Sequence, residues 1–181
     1  EWLRQCPYVV CCDGAANTYI RSGRMPEAIV GDGDSLLPDI KERYASLIHS
    51  EAEQETNDLS KAFRFCLSQE RKRITIMGAT GKREDHTIGN VSLLADYMEQ
   101  AEVSMMTDYG IFVPIREDSM FESYIGQQIS VFNMNSTALS AEGLAYPLSV
   151  FTNWWQGTLN EALARHFIIR TEGKVLVFRV F

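Results

Sequence analysis

The stretch IVGDGDSL, residues 29–36, places an apolar run of the kind that forms a buried strand directly before two aspartates and two glycines. Asp32 and Asp34 are two residues apart, and side chains at that spacing point to the same side of an extended chain. Glycines beside them let a ligand approach the backbone closely. The stretch predicts a strand that ends in an acidic turn. Three interpretations of that turn are a solvated loop, a calcium loop, and a magnesium site for a phosphorylated substrate.

The calcium interpretation fails on the number of ligands. A calcium loop of the EF-hand type needs further oxygen ligands and a glutamate at its twelfth position. Counting from Asp32, that position is Arg43. Magnesium needs fewer protein ligands, because substrate phosphates and water complete its octahedron. Alone, the turn is typical of a solvated loop more often than of a magnesium site.

The pattern of a strand followed by glycine recurs on both sides of this stretch. YVVCC (residues 8–12) runs into Asp13 and a glycine, and ITIM (residues 74–77) runs into GATGKRED (residues 78–85). Strands that alternate with helices predict an α/β fold with a mostly parallel sheet flanked by helices. Ligands of such sheets bind beyond the carboxyl ends of the strands, so we expect these turns to lie along one edge. Helical spacing predicts helices over residues 38–46, 57–67 and 87–100.

After residue 115 the pattern changes to short β-type runs between turn residues, with helical spacing only over residues 159–165. This pattern of short β-type runs is typical of an antiparallel β-sandwich. The REDS segment at residues 116–119 is a plausible boundary. The sequence therefore predicts an α/β domain over residues 1–117 and a β-sandwich domain over residues 118–181.

Composition restricts the function classes. The 181 residues are 45% hydrophobic and 23% charged with a net charge of −7, which predicts a soluble globular protein and argues against nucleic acid as a partner. We expect no membrane span, because the apolar runs are too short, and no secretory signal in the opening residues EWLRQCPY. The four cysteines form no CxxC pair, so we expect reduced thiols in a cytoplasmic protein.

The glycine loop at residues 78–86, GATGKREDH, combines a tight amide-exposing turn with charge at the start of a helix. It is not a Walker P-loop, because Ile76 stands five residues before Gly81 and Arg83 replaces the required Ser or Thr. A helix start near Asp58, with Lys61 on the same face, follows the second turn. Acids beside bases at one sheet edge predict a site for a magnesium-bound nucleotide polyphosphate. The residues of that predicted site are Asp13, Asp32, Asp34, Asp58, Lys82, Arg83 and Asp85.

Five motifs follow one another along the chain: CDGAAN (residues 12–17), GDGDSL (31–36), QETNDLSKA (54–62), GATGKREDH (78–86) and ALSAEGLAYPL (138–148). In this order they resemble the thiamine pyrophosphokinase family. The resemblance implies Mg²⁺-dependent transfer of a pyrophosphoryl group from ATP to the hydroxyl of thiamine, which gives thiamine diphosphate and AMP. It implies a catalytic ATP-binding domain, a β-sandwich domain for thiamine binding and dimerisation, and a homodimer with sites at the subunit interface.

Residue roles follow from the resemblance position by position. It implies Asp32, Asp34 and Asp58 as metal ligands, and Asp58, Asp34 and Arg83 as catalytic residues. Because an alcohol is a poor nucleophile at neutral pH, we expect an aspartate to orient or deprotonate the thiamine hydroxyl, and our hypothesis assigns this role to Asp58. The implied ATP-binding residues are Asp13, Gly78, Thr80, Gly81, Lys82, Arg83, Asp85 and His86.

Thiamine contacts are implied at Gln54, Ser140, Tyr146 and Asn160. Tyr146 stands where many relatives carry tryptophan, and either ring can face a cationic heterocycle. Leu159 replaces the serine that precedes the asparagine in the family. Trp154 and Trp155 are candidates for the dimer interface or for a pocket wall.

Two alternatives stay open. One is a metal-dependent nucleotidyl- or glycosyltransferase, in which an acid-x-acid motif also binds a diphosphate through a cation. The other is a thiamine or nucleotide sensor without turnover. Release of AMP from ATP that occurs only when thiamine is added would indicate the kinase and exclude both alternatives.

Overall fold

The computed structural model describes residues 2–51, 53 and 55–181, and the chain folds as two compact units, residues 1–71 and 72–181. The described part of the first unit contains a parallel three-stranded sheet, in the order β1-β2-β3, with helices beside it. Its elements in chain order are α1 Trp2–Gln5, β1 Val10–Cys12, α2 Ala15–Arg21, β2 Ala28–Gly31, α3 Pro38–Arg43, a 3₁₀ helix at Ala45–Leu47, β3 Ile48–Ser50 and α4 Asp58–Ser68.

Strand β2 is the centre of this sheet because it is apolar on both faces. Neighbouring side chains of a strand point to opposite faces. Ile29 accordingly clusters with Ala16 of α2 and Ile40 of α3, whereas Val30 clusters with Ala62 of α4. Helices on both faces explain why every residue of β2 is buried.

The second unit, which is described throughout, contains a six-stranded mixed sheet and a three-stranded antiparallel sheet. Its elements in chain order are β4 Arg73–Met77, α5 Glu84–Ser92, α6 Leu94–Tyr97, β5 Glu102–Met106, β6 Gly110–Ile115, β7 Ser119–Glu122, β8 Gln128–Asn133, β9 Leu139–Glu142, a 3₁₀ helix at Trp154–Gly157, β10 Asn160–Glu161, β11 His166–Thr171 and β12 Val175–Val180.

The two sheets of this unit pack against each other as a sandwich. The larger has the order β10-β8-β12-β6-β5-β4, in which only β4 and β5 pair in parallel, and the smaller has the order β7-β11-β9. Val131 and Val177 of the larger sheet share a buried cluster with Phe167 and Ile169 of the smaller one. The predicted fold class, a parallel sheet with helices followed by an antiparallel β-sandwich, is confirmed.

The parallel strands belong to two sheets rather than one. Strand β6, which the sequence analysis missed, joins β5 to the antiparallel strands. Its Pro114 argues against a central strand, but β5 pairs only with Ile111 and Phe112, so the proline lies beyond that pairing. The sequence predicts that all three turns lie along one edge of one sheet. This prediction holds for the turns after β1 and β2, which are strands of the same sheet. The glycine loop follows β4, a strand of the other sheet.

The helices also differ in detail from the prediction. The helix predicted over residues 87–100 begins at Glu84 and divides into α5 and α6. The helical spacing at residues 159–165 gives no helix, because Leu159 adopts a left-handed φ of 63° and β10 follows it. At the start of α4, Asn57 accepts a hydrogen bond from the Ser60 amide at 2.9 Å, as a cap does.

The predicted domain boundary between residues 117 and 118 stays a prediction; β6 before it and β7 after it both belong to the second unit. No helix in the described ranges combines the length and apolar character needed to cross a membrane.

Candidate active site

The first acidic turn begins at Asp13, where β1 ends. Asp13 is 4% exposed and has a φ of 34°, in the left-handed region that aspartate enters more readily than most residues. Its amide donates to the Val30 carbonyl at 2.9 Å, and its Oδ2 accepts from the Ser35 amide at 3.0 Å. Its Oδ1 is buried with no hydrogen-bond partner within the described part of the chain. An unpaired buried carboxylate oxygen is costly and is typical of a site that a cation or donor completes.

Asn17 of α2 holds the second acidic turn, residues 31–37. Its Nδ2 donates to the Ser35 carbonyl at 2.8 Å, and its Oδ1 accepts from the Leu37 amide at 3.0 Å. The sequence analysis gave Asn17 no role, although it belongs to the CDGAAN motif. Its partners lie 18 and 20 positions away in the sequence, so no local pattern indicates these contacts. The presence of an asparagine in the motif was the only signal in the sequence.

Two glycines let the acidic turns approach each other. A Cβ added at Gly31 would lie 2.8 Å from the Asp13 Cβ, and one added at Gly14 would lie 2.9 Å from the Ser35 Cβ. Both distances are shorter than carbon–carbon van der Waals contact. Glycine at these two positions is therefore a packing requirement.

The acid pair lies on a turn, not on an extended chain. The Asp34 amide donates to the Asp32 Oδ1 at 3.0 Å, and Gly33 has a φ of 76°. The expectation that both carboxylates point to one side of an extended chain is therefore wrong. Asp32 is partly buried and Asp34 is exposed. Lys41 of α3, which the sequence analysis did not assign, donates its Nζ to the Gly33 carbonyl at 3.1 Å and brings a positive charge to this turn.

Asp58 opens α4 beside a buried cation. Its Oδ1 lies 3.3 Å from the Lys61 Nζ, and the side chains are 37% and 3% exposed, respectively. The pKa of the Cys12 thiol rises to about 12, first because of burial and then because of the Asp58 charge. Cys12 also packs against the cluster that holds Ala62, which lies one helical turn after Asp58 on α4, so the start of α4 lies near the end of β1. Within the first unit, Asp58 therefore joins Asp13 at the carboxyl edge of the parallel sheet.

Over the described ranges, no three His, Cys, Asp or Glu side chains are arranged so that they could hold a metal ion. A preformed cage is not what Mg²⁺ requires, since it usually takes one or two carboxylates together with phosphate and water oxygens. Hard carboxylate oxygens at one edge, with the Asp13 Oδ1 unpaired, suit such an open site. The assignment of Asp32, Asp34 and Asp58 as ligands stays a prediction.

Gln54, a predicted thiamine contact, lies outside the described residues. Arg64 of α4 contacts residues on both sides of it. The Nη2 lies 3.0 Å from the Glu51 Oε2 and 3.2 Å from the Glu53 Oε2, and the Nη1 donates to the Thr56 Oγ1 at 3.1 Å. The Thr56 hydroxyl bond is the main reason that the pKa of Glu53 is lowered.

The glycine loop of the second unit borders a shallow open depression. Gly78 and Gly81 have φ values of 70° and 85°, and among the described residues only their own chain neighbours lie within 4 Å of a Cβ added at either. Asn90 of α5 donates its Nδ2 to the Ala79 carbonyl at 2.8 Å and so supports the loop. Asn90 and Thr87 are lining residues that the sequence analysis missed. The depression is lined by Gly78, Ala79, Thr80, Lys82, Arg83, His86, Thr87 and Asn90.

Arg83 and Asp85 form an exposed charge pair on this loop. The guanidinium makes two bonds to the carboxylate, Nη2 to Oδ2 at 2.6 Å and Nε to Oδ1 at 3.1 Å. This pairing is the main reason that the pKa of Asp85 is lowered. The Asp85 Oδ1 also accepts from the His86 amide at 2.9 Å. Both side chains are mostly exposed, so an incoming phosphate can compete for the guanidinium at little cost.

The late candidates lie in the β-sandwich and differ in exposure. Ser140 of β9 is exposed and Tyr146 is 64% exposed, whereas Asn160 is 4% exposed. The Asn160 carboxamide bonds to the backbone of Tyr146 at both ends. Trp154 and Trp155 are 46% and 74% exposed, so neither is a core residue of the sandwich in this chain.

Comparison with known proteins agrees with this arrangement. The family profile described as "Thiamin pyrophosphokinase, catalytic domain" matches residues 1–106, and the one described as "Thiamin pyrophosphokinase, substrate-binding domain" matches residues 110–178. The chain belongs to the thiamine pyrophosphokinase family. The two matched ranges contain every candidate residue named above.

Individual relatives of this family are moderately similar. The chain is 30% identical over 129 residues to thiamine pyrophosphokinase 1 of Oryza sativa subsp. japonica, covering 58% of this chain and 49% of that protein. It is 34% identical over 86 residues to thiamine pyrophosphokinase of Bacillus subtilis, covering 45% of this chain and 40% of that protein. The chain thus spans about half the length of the curated relatives it matches.

Solved structures of the thiamine pyrophosphokinase family have the same fold. The Bacillus subtilis thiamine pyrophosphokinase superposes with a TM-score of 0.82 at 21% identity, over 96% of this chain and 87% of that one. Thiamin pyrophosphokinase from Candida albicans gives a TM-score of 0.81 at 20% identity, over 98% and 82%. At this identity the likeness establishes the fold alone.

Proposed function

We propose that this chain is an Mg²⁺-dependent thiamine diphosphokinase, which transfers a pyrophosphoryl group from ATP to the hydroxyl of thiamine and releases AMP. Membership of the thiamine pyrophosphokinase family supports the proposal. The structural observation that carries it is the acidic edge of the parallel sheet. There, among the described residues, the buried Asp13 leaves one carboxylate oxygen without a hydrogen-bond partner next to the 31–37 turn, in the type of environment that a magnesium-bound polyphosphate completes.

The metal ligands in this proposal are Asp32, Asp34 and Asp58. When bound, Mg²⁺ supplies neutralisation of charge on the phosphates during transfer. The turn that carries Asp32 and Asp34 is held by Asp13 and Asn17 through the Ser35 backbone, so its shape is set before a nucleotide arrives.

Phosphate binding is assigned to the glycine loop and its bases. Lys82 and Arg83 supply positive charge, and the backbone amides of a tight glycine turn point donors at phosphate oxygens. Arg83 is already oriented by its two bonds to Asp85. Because that pair is exposed, the guanidinium can keep one carboxylate bond and turn its remaining donors to a phosphate.

Asp58 is proposed to orient or deprotonate the thiamine hydroxyl. An alcohol is a poor nucleophile at neutral pH and gains from a base within hydrogen-bond reach. The Lys61 ammonium holds one Asp58 oxygen at 3.3 Å, while 37% of the Asp58 side chain stays exposed to a substrate. Tyr146 is proposed to face the cationic heterocycle with its ring, and Gln54 and Ser140 are proposed as further thiamine contacts.

We also infer a cytoplasmic homodimer. Large exposed side chains on the sandwich unit, including Tyr146 and Trp155, are typical of a protein–protein interface. All four cysteines are unpaired, which is typical of a reducing compartment. Light scattering on the purified chain tests the dimer, and a monomeric mass would contradict it.

The activity is tested by incubating the purified chain with Mg²⁺ and ATP, with and without thiamine, and separating AMP and thiamine diphosphate by chromatography. We expect AMP only when thiamine is present, in a one-to-one ratio with thiamine diphosphate. Thiamine binding without AMP would favour the sensor. AMP or diphosphate release that ignores thiamine, with transfer to a different acceptor, would favour the nucleotidyl- or glycosyltransferase.

A further inference from the structure

Asn160 is buried and its carboxamide is committed to the backbones of Tyr146 and Glu161. The Nδ2 donates to the Tyr146 carbonyl at 2.8 Å, and the Oδ1 accepts from the Tyr146 amide at 3.0 Å and from the Glu161 amide at 2.9 Å. Both lone pairs of the Oδ1 are therefore occupied by protein donors. A side chain that is 4% exposed and bonded in this way is poorly placed to contact a ligand directly.

Tyr146 lies on a segment without helix or strand, residues 143–150. Its ring is exposed at the surface of the sandwich unit. A bridge between Leu144 and Ala162, and a bond from the Ala145 amide to the Glu161 carbonyl at 2.9 Å, hold the chain just before it. At Tyr146 itself, both backbone groups bond to Asn160. The carboxamide therefore fixes the point from which the ring projects.

The backbone conformation of Leu159 is a second, independent observation that points to a binding site near Asn160 and Tyr146. It has a left-handed φ of 63° and is 77% exposed. That conformation costs a non-glycine residue about 1 kcal/mol, and such strain is concentrated at binding sites. Leu159 is the residue at which the chain turns before Asn160, whose side chain is buried against the Tyr146 segment.

We propose that Asn160 is a positioning residue: it affects thiamine recognition by fixing Tyr146 and does not itself touch thiamine. This inference rests on the proposed function, in which the Tyr146 ring faces the cationic heterocycle. It replaces the direct contact that the family resemblance implies for Asn160.

A double-mutant cycle with Asn160→Ala and Tyr146→Ala tests the inference. We expect each substitution to raise the KM for thiamine about tenfold, with the KM for ATP unchanged. Because Asn160 acts through the ring, the double variant should be no worse than Tyr146→Ala alone. Multiplicative effects, about a hundredfold in the double variant, would assign a thiamine contact to Asn160 and overturn the proposal.

A matched control separates positioning from general stability. Asn133 of the same unit makes a similar two-ended contact with Ser136, with bonds of 2.7 and 3.2 Å. We expect Asn133→Ala to lower the melting temperature but to leave the KM for thiamine within about twofold. If Asn160→Ala does not fold, Asn160→Asp, which keeps the acceptor and loses the donor, takes its place in the cycle.

Hydrogen exchange gives a readout that does not depend on turnover. The amide of Tyr146 should exchange faster in Asn160→Ala, which removes its acceptor, than in the original chain, and Asn133→Ala should leave the Tyr146 amide unchanged. Unchanged exchange at Tyr146 would overturn the positioning role even in an inactive protein. An original chain that lacks thiamine-dependent AMP release, yet shows the exchange effect, would refute the proposed function and keep the structural role of Asn160.

Discussion

The acidic turn at residues 31–37 and the glycine loop at residues 78–86 both place charged side chains after a strand, but they are held in different ways. The turn is bonded to α2 through Asn17, and a methyl group at Gly31 would collide with Asp13. The loop has open space around Gly78 and its charged side chains are exposed. A turn fixed by packing is preorganised, whereas an exposed loop can adapt to its ligand. Substitutions of the packed glycines in the turn should therefore affect the fold as well as activity, whereas substitutions in the loop should mainly affect ligand binding.

The largest effect is expected from Asp34→Asn. The carboxamide has nearly the same shape and the side chain is exposed, so the fold should persist while a proposed metal ligand loses its charge. We expect the rate of AMP formation at fixed Mg²⁺ to fall by about 100-fold or more, with an unchanged melting temperature. Glu42→Gln, an exposed acid of α3, is the control. A rate close to that of the original chain would refute the metal assignment.

Replacing one glycine in each region compares their packing directly. Gly31→Ala should lower the free energy of unfolding by about 1–3 kcal/mol, because the new methyl group lies 2.8 Å from the Asp13 Cβ. At Gly81 a new methyl group would contact no described residue beyond its chain neighbours. Gly81→Ala should therefore lower the free energy of unfolding only through its φ of 85°, by about 1 kcal/mol. Urea unfolding measures both. Equal losses would mean that the acidic turn is no better packed than the loop.

Arg83→Gln should weaken ATP binding without a measurable loss of stability. The guanidinium is 73% exposed and its pair with Asp85 is screened by solvent. Loss of the positive charge should raise the KM for ATP about tenfold and leave the KM for thiamine unchanged. Arg73→Gln, an exposed arginine on β4, is the control. A drop in melting temperature comparable to that of Gly31→Ala would show that the loop, too, is held by its charge pair.

The smallest effect concerns the thiol at the end of β1. The pKa of Cys12 is about 12, against 9.0 for a free thiol, because of burial and then the Asp58 charge. At pH 8 Cys12 should therefore react with iodoacetamide far more slowly than the exposed Cys6. Since the pKa is raised in the folded state, Cys12 favours folding below pH 9 and loses that contribution as the pH rises toward 12.

Asp58→Asn should lower the pKa of Cys12 and speed its reaction with iodoacetamide by less than about tenfold, as peptide mass spectrometry can measure. An unchanged rate at Cys12 would place Asp58 away from β1.

Local rules were enough to predict the elements that carry the candidate site. The strand before Asp32, the helix start near Asp58 and the glycine loop after β4 all follow from periodicity and turn chemistry, which act over a few neighbouring residues. The fold class followed from the order of those elements, since strands that alternate with helices leave few topologies.

Contacts between distant residues could not be predicted in this way. Asn17 and Lys41 reach the acidic turn from α2 and α3, and Asn160 reaches Tyr146 across 14 positions. The sequence around an asparagine or a lysine does not show whether its side chain bonds to a distant backbone group or is exposed to solvent. Strand β6 was missed for a related reason: its Pro114 is tolerated only because β5 ends its pairing before that residue.

The position of β12 has a consequence for how the chain acquires its structure. This strand is the last in the sequence, yet it lies in the middle of the six-stranded sheet, paired with β8 on one side and β6 on the other. During synthesis the parallel sheet of the first unit can form early from strands close in sequence. The larger sheet stays divided until residues 175–180 emerge, which leaves the inner edges of β6 and β8 unpaired and open to association with other chains. We therefore expect the emergence of residues 175–180, rather than assembly of the acidic edge, to set when the second unit becomes resistant to protease.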